Sequence, residues 1–257
     1  MEKAYAKLVR SYYATSEGEC SDALNYLTGG VVSRVSSESP EEAWIALKST
    51  ITAGAFASTS CKPSIDAETL QSVGLLHGHA YSLLQTFEQK KTGLRLVQIK
   101  NPWGSFEWSG DYSDASPLWT KKLKQEVNRA VQKRARQLSF ESGDKSPRAA
   151  TATAVKDDGA FWMSWTDFAK YFEDVSMCNP WLDGKTRYSV SSSWQPGVSA
   201  GGPVGFATFD YNPSFALEIS NAVEGDTTRT KVNATFSLTQ SDIRGDESRD
   251  QFDLLCE

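Results

Sequence analysis

At 257 residues the chain is long enough for one large domain or two modest ones, each with its own core. Its 39% hydrophobic and 23% charged fractions are those of an ordinary soluble globular protein, and a formal net charge of −5 gives no global attraction for nucleic acid or an acidic membrane. No apolar run approaches the length of a bilayer span and Met1 to Lys7 carries no signal-peptide core, so stable membrane insertion is not expected and the cytoplasm is the default compartment.

In chain order, Ala4, Tyr5, Leu8, Val9 and Tyr12 recur at helical spacing, which predicts a helix over Glu2 to Tyr13 with that face inward. A second helix is expected from Asp22 to Thr28, stopped by Gly29 and Gly30. Ser39, Pro40, Glu41 and Glu42 write a helix start, with Ser39 as the cap, and Trp44, Leu47 and Ile51 form the stripe that this helix buries before Gly54. Ala55 to Cys61 is a short run of small and β-branched residues and predicts a strand. Ala80 to Phe87 and Leu94 to Asn101 predict a hairpin, because the polar Glu88 to Gly93 between them closes on glycine.

Pro117 to Phe140 predicts a helix with Leu118, Leu123, Val127 and Val131 on the packed side and Lys121, Lys122, Lys124, Arg129, Lys133, Arg134 and Arg136 elsewhere. Between Trp119 near its start and Phe140 at its end it has no aromatic side chain on which a base could stack, so it reads as a solvated face and no nucleic-acid partner is expected. Glu141 to Val155 is an excursion rich in Ser, Ala, Thr and Lys. Phe161 to Trp165 predicts a strand, Thr166 caps a helix over Asp167 to Val175, and Met177 to Pro180 ends it. After Pro180 helical periodicity stops. Residues 189 to 194, 205 to 211, 215 to 219 and 231 to 239 are short β-type runs between Gly, Pro, Asn and Asp, the pattern of an antiparallel sandwich.

Both histidines of the chain lie at one end of the hairpin. His79 and Asn101 sit at the outer ends of its strands and can lie side by side. An amide oxygen that accepts one ring proton fixes the imidazole tautomer, and the expected arrangement has Asn101 take the Nδ1 proton and leave Nε2 to face a nucleophile. His77, two residues earlier, is read as a surface residue, because no further His and no well-spaced carboxylate or thiol completes a zinc site.

The run Gly78, His79, Ala80, Tyr81, Ser82, followed by Lys100, Asn101, Pro102, Trp103, Gly104, closely resembles the calpain family of cysteine proteases. The resemblance extends from about Glu2 to Asn179, through Phe161, Trp162, Met163 and Ser164. It implies an α+β fold: the papain-like, antiparallel β-sheet half of a protease core over 1–180, followed by part of an all-β, C2-like sandwich over 181–257. It further implies an endopeptidase acting on protein or peptide substrates, with His79 as general base, Asn101 orienting it and Trp103 shielding their bond from water. Glu107, Asp114 and Asp158 match calcium-binding positions of the family, but Ala160 stands where the family has a carboxylate, so the implied calcium site lacks a ligand.

The family's nucleophile opens a helix in a Gly-Asp-Cys-Trp context, which this chain does not contain. Cys20, Cys61, Cys178 and Cys256 are scattered without a Cys-x-x-Cys pair. Cys61 has strand character before it and Pro63 after it, Cys20 has no apolar helix behind it, Cys178 follows a helix and Cys256 is almost terminal. The attacking thiolate is therefore expected from an upstream Cys-bearing subdomain, with this chain inactive alone. The competing expectation is a non-catalytic calpain-like scaffold or interaction module.

Overall fold

A computed structural model describes residues 1–16, 18–142, 158–179 and 188–216, with side chains described in the long helix only through residue 137. The chain divides into two compact units, whose described parts are residues 1–179 and 188–216.

The first unit is built on one antiparallel sheet. Its elements are helix α1 (Glu2–Leu8), a 3-10 turn (Tyr13–Thr15), α2 (Cys20–Thr28), β1 (Val31–Ser36), α3 (Pro40–Thr52), β2 (Phe56–Ser60), α4 (Ala67–Ser72), β3 (Ala80–Gln89), β4 (Leu94–Lys100), α5 (Lys121–Ser142), β5 (Ala160–Ser164), α6 (Trp165–Tyr171) and β6 (Asp174–Asn179). The strand order is β1-β6-β2-β3-β4-β5, with every neighbouring pair antiparallel. This is the α+β architecture expected of a calpain-type core half.

Two apolar clusters cover the two faces of the sheet. Trp44, Leu47 and Ile51 of α3 and Phe168 and Tyr171 of α6 pack on Tyr81, Leu83, Val97, Ile99, Phe161 and Met163. Leu123, Val127 and Val131 of α5 pack on Phe87, Leu96 and Trp162. Side chains alternate along a strand, so Val97 and Leu96 face opposite ways, as do Met163 and Trp162. In β3 the switch is made by an irregularity between Leu83 and Gln85, where Leu84 is passed over in the register and left partly exposed. That extra residue lets Leu83 face the first cluster and Phe87, opposite Leu96, face the second.

Several elements differ from expectation. α1 ends at Leu8, because Arg10 takes a positive φ of 79° that no helix can absorb; Ala6 and Val9 are buried, whereas Leu8 and Tyr12 are exposed. Ser39 makes no side-chain cap on α3. Ser164 rather than Thr166 caps α6, accepting from the Asp167 N–H at 3.0 Å, so the helix begins at Trp165. That helix stops at Tyr171 instead of Val175. Residues 174–179 form β6, which is hydrogen-bonded on both sides, to β1 and β2, and supplies the buried Val175, Met177 and Cys178. A strand satisfied on two edges outweighs the helical spacing that Phe168, Tyr171 and Phe172 suggest. Cys178 consequently lies in a central strand, and Cys20 opens α2, a helix with no fully buried residue. Leu118 precedes α5 and is partly exposed, while Arg134 leaves the solvent side to donate to Gln85 Oε1 at 2.8 Å and to the Thr86 carbonyl at 3.2 Å.

The second unit, over 188–216, contains a 3-10 turn at Phe209–Tyr211 and no strand among its described residues, so the β-runs expected at 189–194 and 205–211 are not formed there. Local side chains answer the backbone instead. Asn212 Oδ1 accepts from the Gly201 N–H at 2.9 Å, Asn212 Nδ2 donates to the Gly202 carbonyl at 2.8 Å, and Thr208 Oγ1 donates to the Gly201 carbonyl. The remainder of the run expected at 215–219, the run expected at 231–239 and the excursion expected at 141–155 from residue 143 onward lie outside the described residues. No described helix is long and apolar enough to cross a membrane.

The stacked rings of Trp165, Phe168 and Phe172, with centroids 4.6 and 4.9 Å apart, are the densest aromatic packing of the first core. Phe168 is completely buried, so Phe168→Ala is expected to cost roughly 3–5 kcal/mol in urea denaturation, whereas Ile45→Ala on the exposed side of α3 should shift the midpoint little.

Candidate active site

His79 lies immediately before β3 and Asn101 immediately after β4, so the hairpin pairing that aligns Ser82 with Lys100 also brings these two side chains together. His79 Nε2 and Asn101 Oδ1 are 2.8 Å apart. Asn101 is completely buried, and its amide can be satisfied in one orientation only. Asn101 Nδ2 donates to the carbonyls of Ser105 at 2.7 Å and Phe106 at 3.2 Å, while Oδ1 also accepts from the Trp103 N–H at 3.0 Å. An oxygen so fixed can only accept, so the proton in the contact belongs to Nε2.

This reverses the expected tautomer. Asn101 takes the Nε2 proton, and Nδ1, which makes no hydrogen bond to a described residue, is the basic nitrogen. The spacing of His79 and Asn101 in sequence puts the residues together but carries no information on the imidazole side-chain torsions, which decide the nitrogen. The neighbouring rings report those torsions. Trp103 lies against the imidazole at 4.4 Å with a 53° tilt, and Tyr81 meets it edge-on at 5.0 Å and 87°. Tyr81 is itself held from below, its hydroxyl accepting from the Leu76 N–H at 2.9 Å while burial pushes its ionisation up. Trp103 thus contributes twice, through its ring and through a backbone N–H that the sequence did not bring to notice. The indole stays 69% exposed, so it covers one face of the imidazole and leaves its own outer face uncovered.

The loops around Asn101 are locked by carboxylates. Glu107 Oε1 accepts from the Gly159 N–H at 2.7 Å, the Gly159 carbonyl accepts from the Asn101 N–H at 2.8 Å, and Asp158 Oδ1 accepts from the Ala160 N–H at 2.9 Å. Asp114 lies near enough to Asp158 that burial, and then that charge, raise its carboxyl above the usual range. Glu107, Asp114 and Asp158 therefore occupy one region, yet no group of three His, Cys, Asp or Glu side chains among the described residues converges in a way that could hold a metal ion. One oxygen each of Glu107 and Asp158 already serves a backbone N–H, and Ala160 brings a methyl group. As arranged here, the set does not fit a cation that takes six to eight oxygen ligands. His77 is exposed, as expected.

No hydrogen bond joins His79 to Cys20, Cys61 or Cys178, all of which are free thiols. Cys61 is buried in the first core, and desolvation pushes its thiol up to about 12, far from the thiolate a nucleophile requires. Burial also raises the Cys20 thiol, despite its place in the first turn of α2. Cys178 is buried against Thr28 Oγ1 at 3.2 Å. Cys256 lies outside the described residues.

Gly159 adopts φ +84°, and a Cβ there would meet the Asn101 carbonyl oxygen at 2.5 Å and Gly104 Cα at 2.9 Å. Gly93, in the hairpin turn, adopts φ +75° but a Cβ would meet nothing within 4 Å. Both alanine substitutions pay the left-handed backbone, about 1 kcal/mol, and only Gly159→Ala also forces the two loops apart. Gly159→Ala should therefore lower the urea midpoint clearly more than Gly93→Ala; equal shifts would show that the Asn101 and Gly159 loops are not closely packed.

The family model described as the calpain family of cysteine proteases matches residues 1–179. Similar proteins include the calpain-type cysteine protease DEK1 of Arabidopsis thaliana, 33% identical over 93% of this chain and 10% of its own length. Human calpain-9 is 32% identical over 95% of this chain and 34% of its own length, and calpain-B of Drosophila melanogaster is 31% identical over 95% and 26%. The chain thus spans between about a tenth and a third of the length of these relatives. A family match across the described part of the first unit, on a sheet that sets a histidine and an asparagine side by side, leads to one conclusion: this chain belongs to the calpain family of cysteine proteases.

Proposed function

We propose that the chain is the base-bearing half of a calpain-type cysteine endopeptidase, acting on protein or peptide substrates with His79 as general base and Asn101 and Trp103 as its positioning groups. The 2.8 Å contact between Nε2 and a carboxamide oxygen that can only accept carries this reading. In the reaction, Nδ1 takes the proton of a cysteine thiol, and the thiolate adds to the scissile carbonyl carbon. Collapse of the tetrahedral intermediate expels the amine, which receives the proton from Nδ1, and leaves a thioester. Water then attacks that acyl group, giving its proton to Nδ1, and the released thiolate is reprotonated to restore the resting site. Asn101 stabilises the imidazolium through Nε2–H in each step.

The thiol comes, on this reading, from an upstream Cys-bearing subdomain. The buried positions of Cys61 and Cys178 and the raised thiols of Cys20 and Cys61 support that assignment, and so does the exposed indole of Trp103 beside the imidazole, an apolar surface suited to an incoming protein face. Three free thiols among the described residues suit a reducing, cytoplasmic setting. The arrangement of Glu107, Asp114 and Asp158 supplies loop geometry, and calcium has no part in the proposed chemistry. A second reading, a non-catalytic calpain-like interaction module, is favoured by one observation: no described thiol is hydrogen-bonded to His79.

The purified chain should give no turnover of a fluorogenic peptide above background. Extended by its natural upstream coding sequence through a Gly-Asp-Cys-Trp segment, it should hydrolyse the same peptide, and His79→Ala should then remove activity by about a thousandfold or more. Turnover by the chain alone that His79→Ala abolishes would refute the external thiol. An extended protein insensitive to His79→Ala, or an upstream sequence without such a segment, would favour the module.

A further inference from the structure

Helix α5 carries a second surface that the peptidase reading does not use. Its buried side is fixed by Leu123, Val127 and Val131, with Arg134 turned inward beside them onto Gln85 and Thr86. At 100° per residue, Lys121, Lys122, Arg129, Lys133 and Arg136 fall within one-third of the circumference, on the side opposite that seam, and all five are exposed. They form a row about 22 Å long, taking about 1.5 Å of rise per residue. None of the five makes an ion pair with a described residue. The one carboxylate between residues 121 and 136, Glu126, is half-buried and accepts from Gln89 Nε2 at the flank of the row.

Five unneutralised cations in line are unusual on a chain whose net charge is −5. Like charges along a helix face repel one another, and the one carboxylate beside them, Glu126, four residues from Lys122 and three from Arg129, is engaged by Gln89 and pairs with none of the five. The exposed positions between them, Gln125, Ala130 and Gln132, include no aromatic or large apolar side chain. A specific protein interface needs such anchors at its centre, and single-stranded nucleic acid needs stacking rings. An anionic bilayer surface needs neither, since it presents a plane of negative charge to which a straight basic row can lie parallel without inserting.

We propose that the solvent face of α5 is a peripheral docking surface for anionic phospholipid headgroups, held by Lys121, Lys122, Arg129, Lys133 and Arg136. The proposal stands whether or not His79 is catalytic.

Sedimentation of the purified chain with phosphatidylserine/phosphatidylcholine vesicles tests it. Binding is expected at 0.05 M NaCl, absent with phosphatidylcholine alone and released as salt rises. The triple variant Lys122→Gln, Arg129→Gln, Lys133→Gln should bind about a hundredfold more weakly, at about fivefold per charge. The charge-matched control Lys3→Gln, Lys7→Gln, Lys91→Gln, at three exposed positions elsewhere, should bind as the parent does. Circular dichroism checks that both variants are folded, and all six positions are exposed. No binding to the anionic vesicles, equal binding to neutral ones, retention by the α5 variant, equal loss in the control, or tighter binding to a short DNA duplex at the same salt would each overturn the proposal.

Discussion

The carboxamide of Asn101 is the constraint on which the candidate site depends. It is buried with two carbonyls on its nitrogen side and two N–H groups on its oxygen side, so turning it over would set donors against donors and acceptors against acceptors. A buried polar group left without a partner costs about 1–3 kcal/mol, and the flipped amide would create several at once. One orientation therefore survives, and with it one tautomer of His79. The basic nitrogen is selected by backbone carbonyls at Ser105 and Phe106 that touch no reacting group.

Those carbonyls are placed at a conformational cost. Phe106 has a positive φ of 68°, in the left-handed region that a bulky residue seldom occupies, and its carbonyl is one of the two that fix the amide. Glu107, the next residue, grips the Gly159 N–H, and Gly159 in turn accepts from Asn101. The strained turn, the glycine and the carboxylate thus form one closed circuit of hydrogen bonds. Beneath it, the sheet holds the hairpin through β2 on one side and β5 on the other, and both of its faces are packed, so the circuit rests on a rigid support.

Much of this support is legible in the residues themselves. The stripe of Trp44, Leu47 and Ile51, the glycine stop after Thr28, the hairpin of Ala80 to Asn101 and the packed row of Leu123, Val127 and Val131 follow from periodicity and turn chemistry, which are local. What escapes is decided by distant partners. Residues 174–179 look like a helix end until β1 and β2 are known to flank them, and β1 itself, a modest Val-Val-Ser-Arg-Val-Ser run, becomes a strand by pairing with β6, almost 150 residues away. At the site, the meeting of His79 and Asn101 is readable from hairpin geometry. The choice of ring nitrogen is not, because it depends on torsions set by Trp103 and Tyr81. Glu107 and Asp158 carry the same ambiguity: acidic residues in glycine-bearing loops suggest a cation, and only their backbone partners reveal what they hold.

The protonation pattern of the His79 ring tests the central claim most directly. Long-range ¹H–¹⁵N correlation spectra, recorded where the imidazole is neutral, distinguish the protonated from the bare ring nitrogen. The account predicts that Nε2 bears the proton and Nδ1 does not, and that Asn101→Ala relaxes this preference toward a mixture of tautomers. A proton on Nδ1 in the unmodified chain, or a tautomer unaffected by loss of the Asn101 amide, would contradict it.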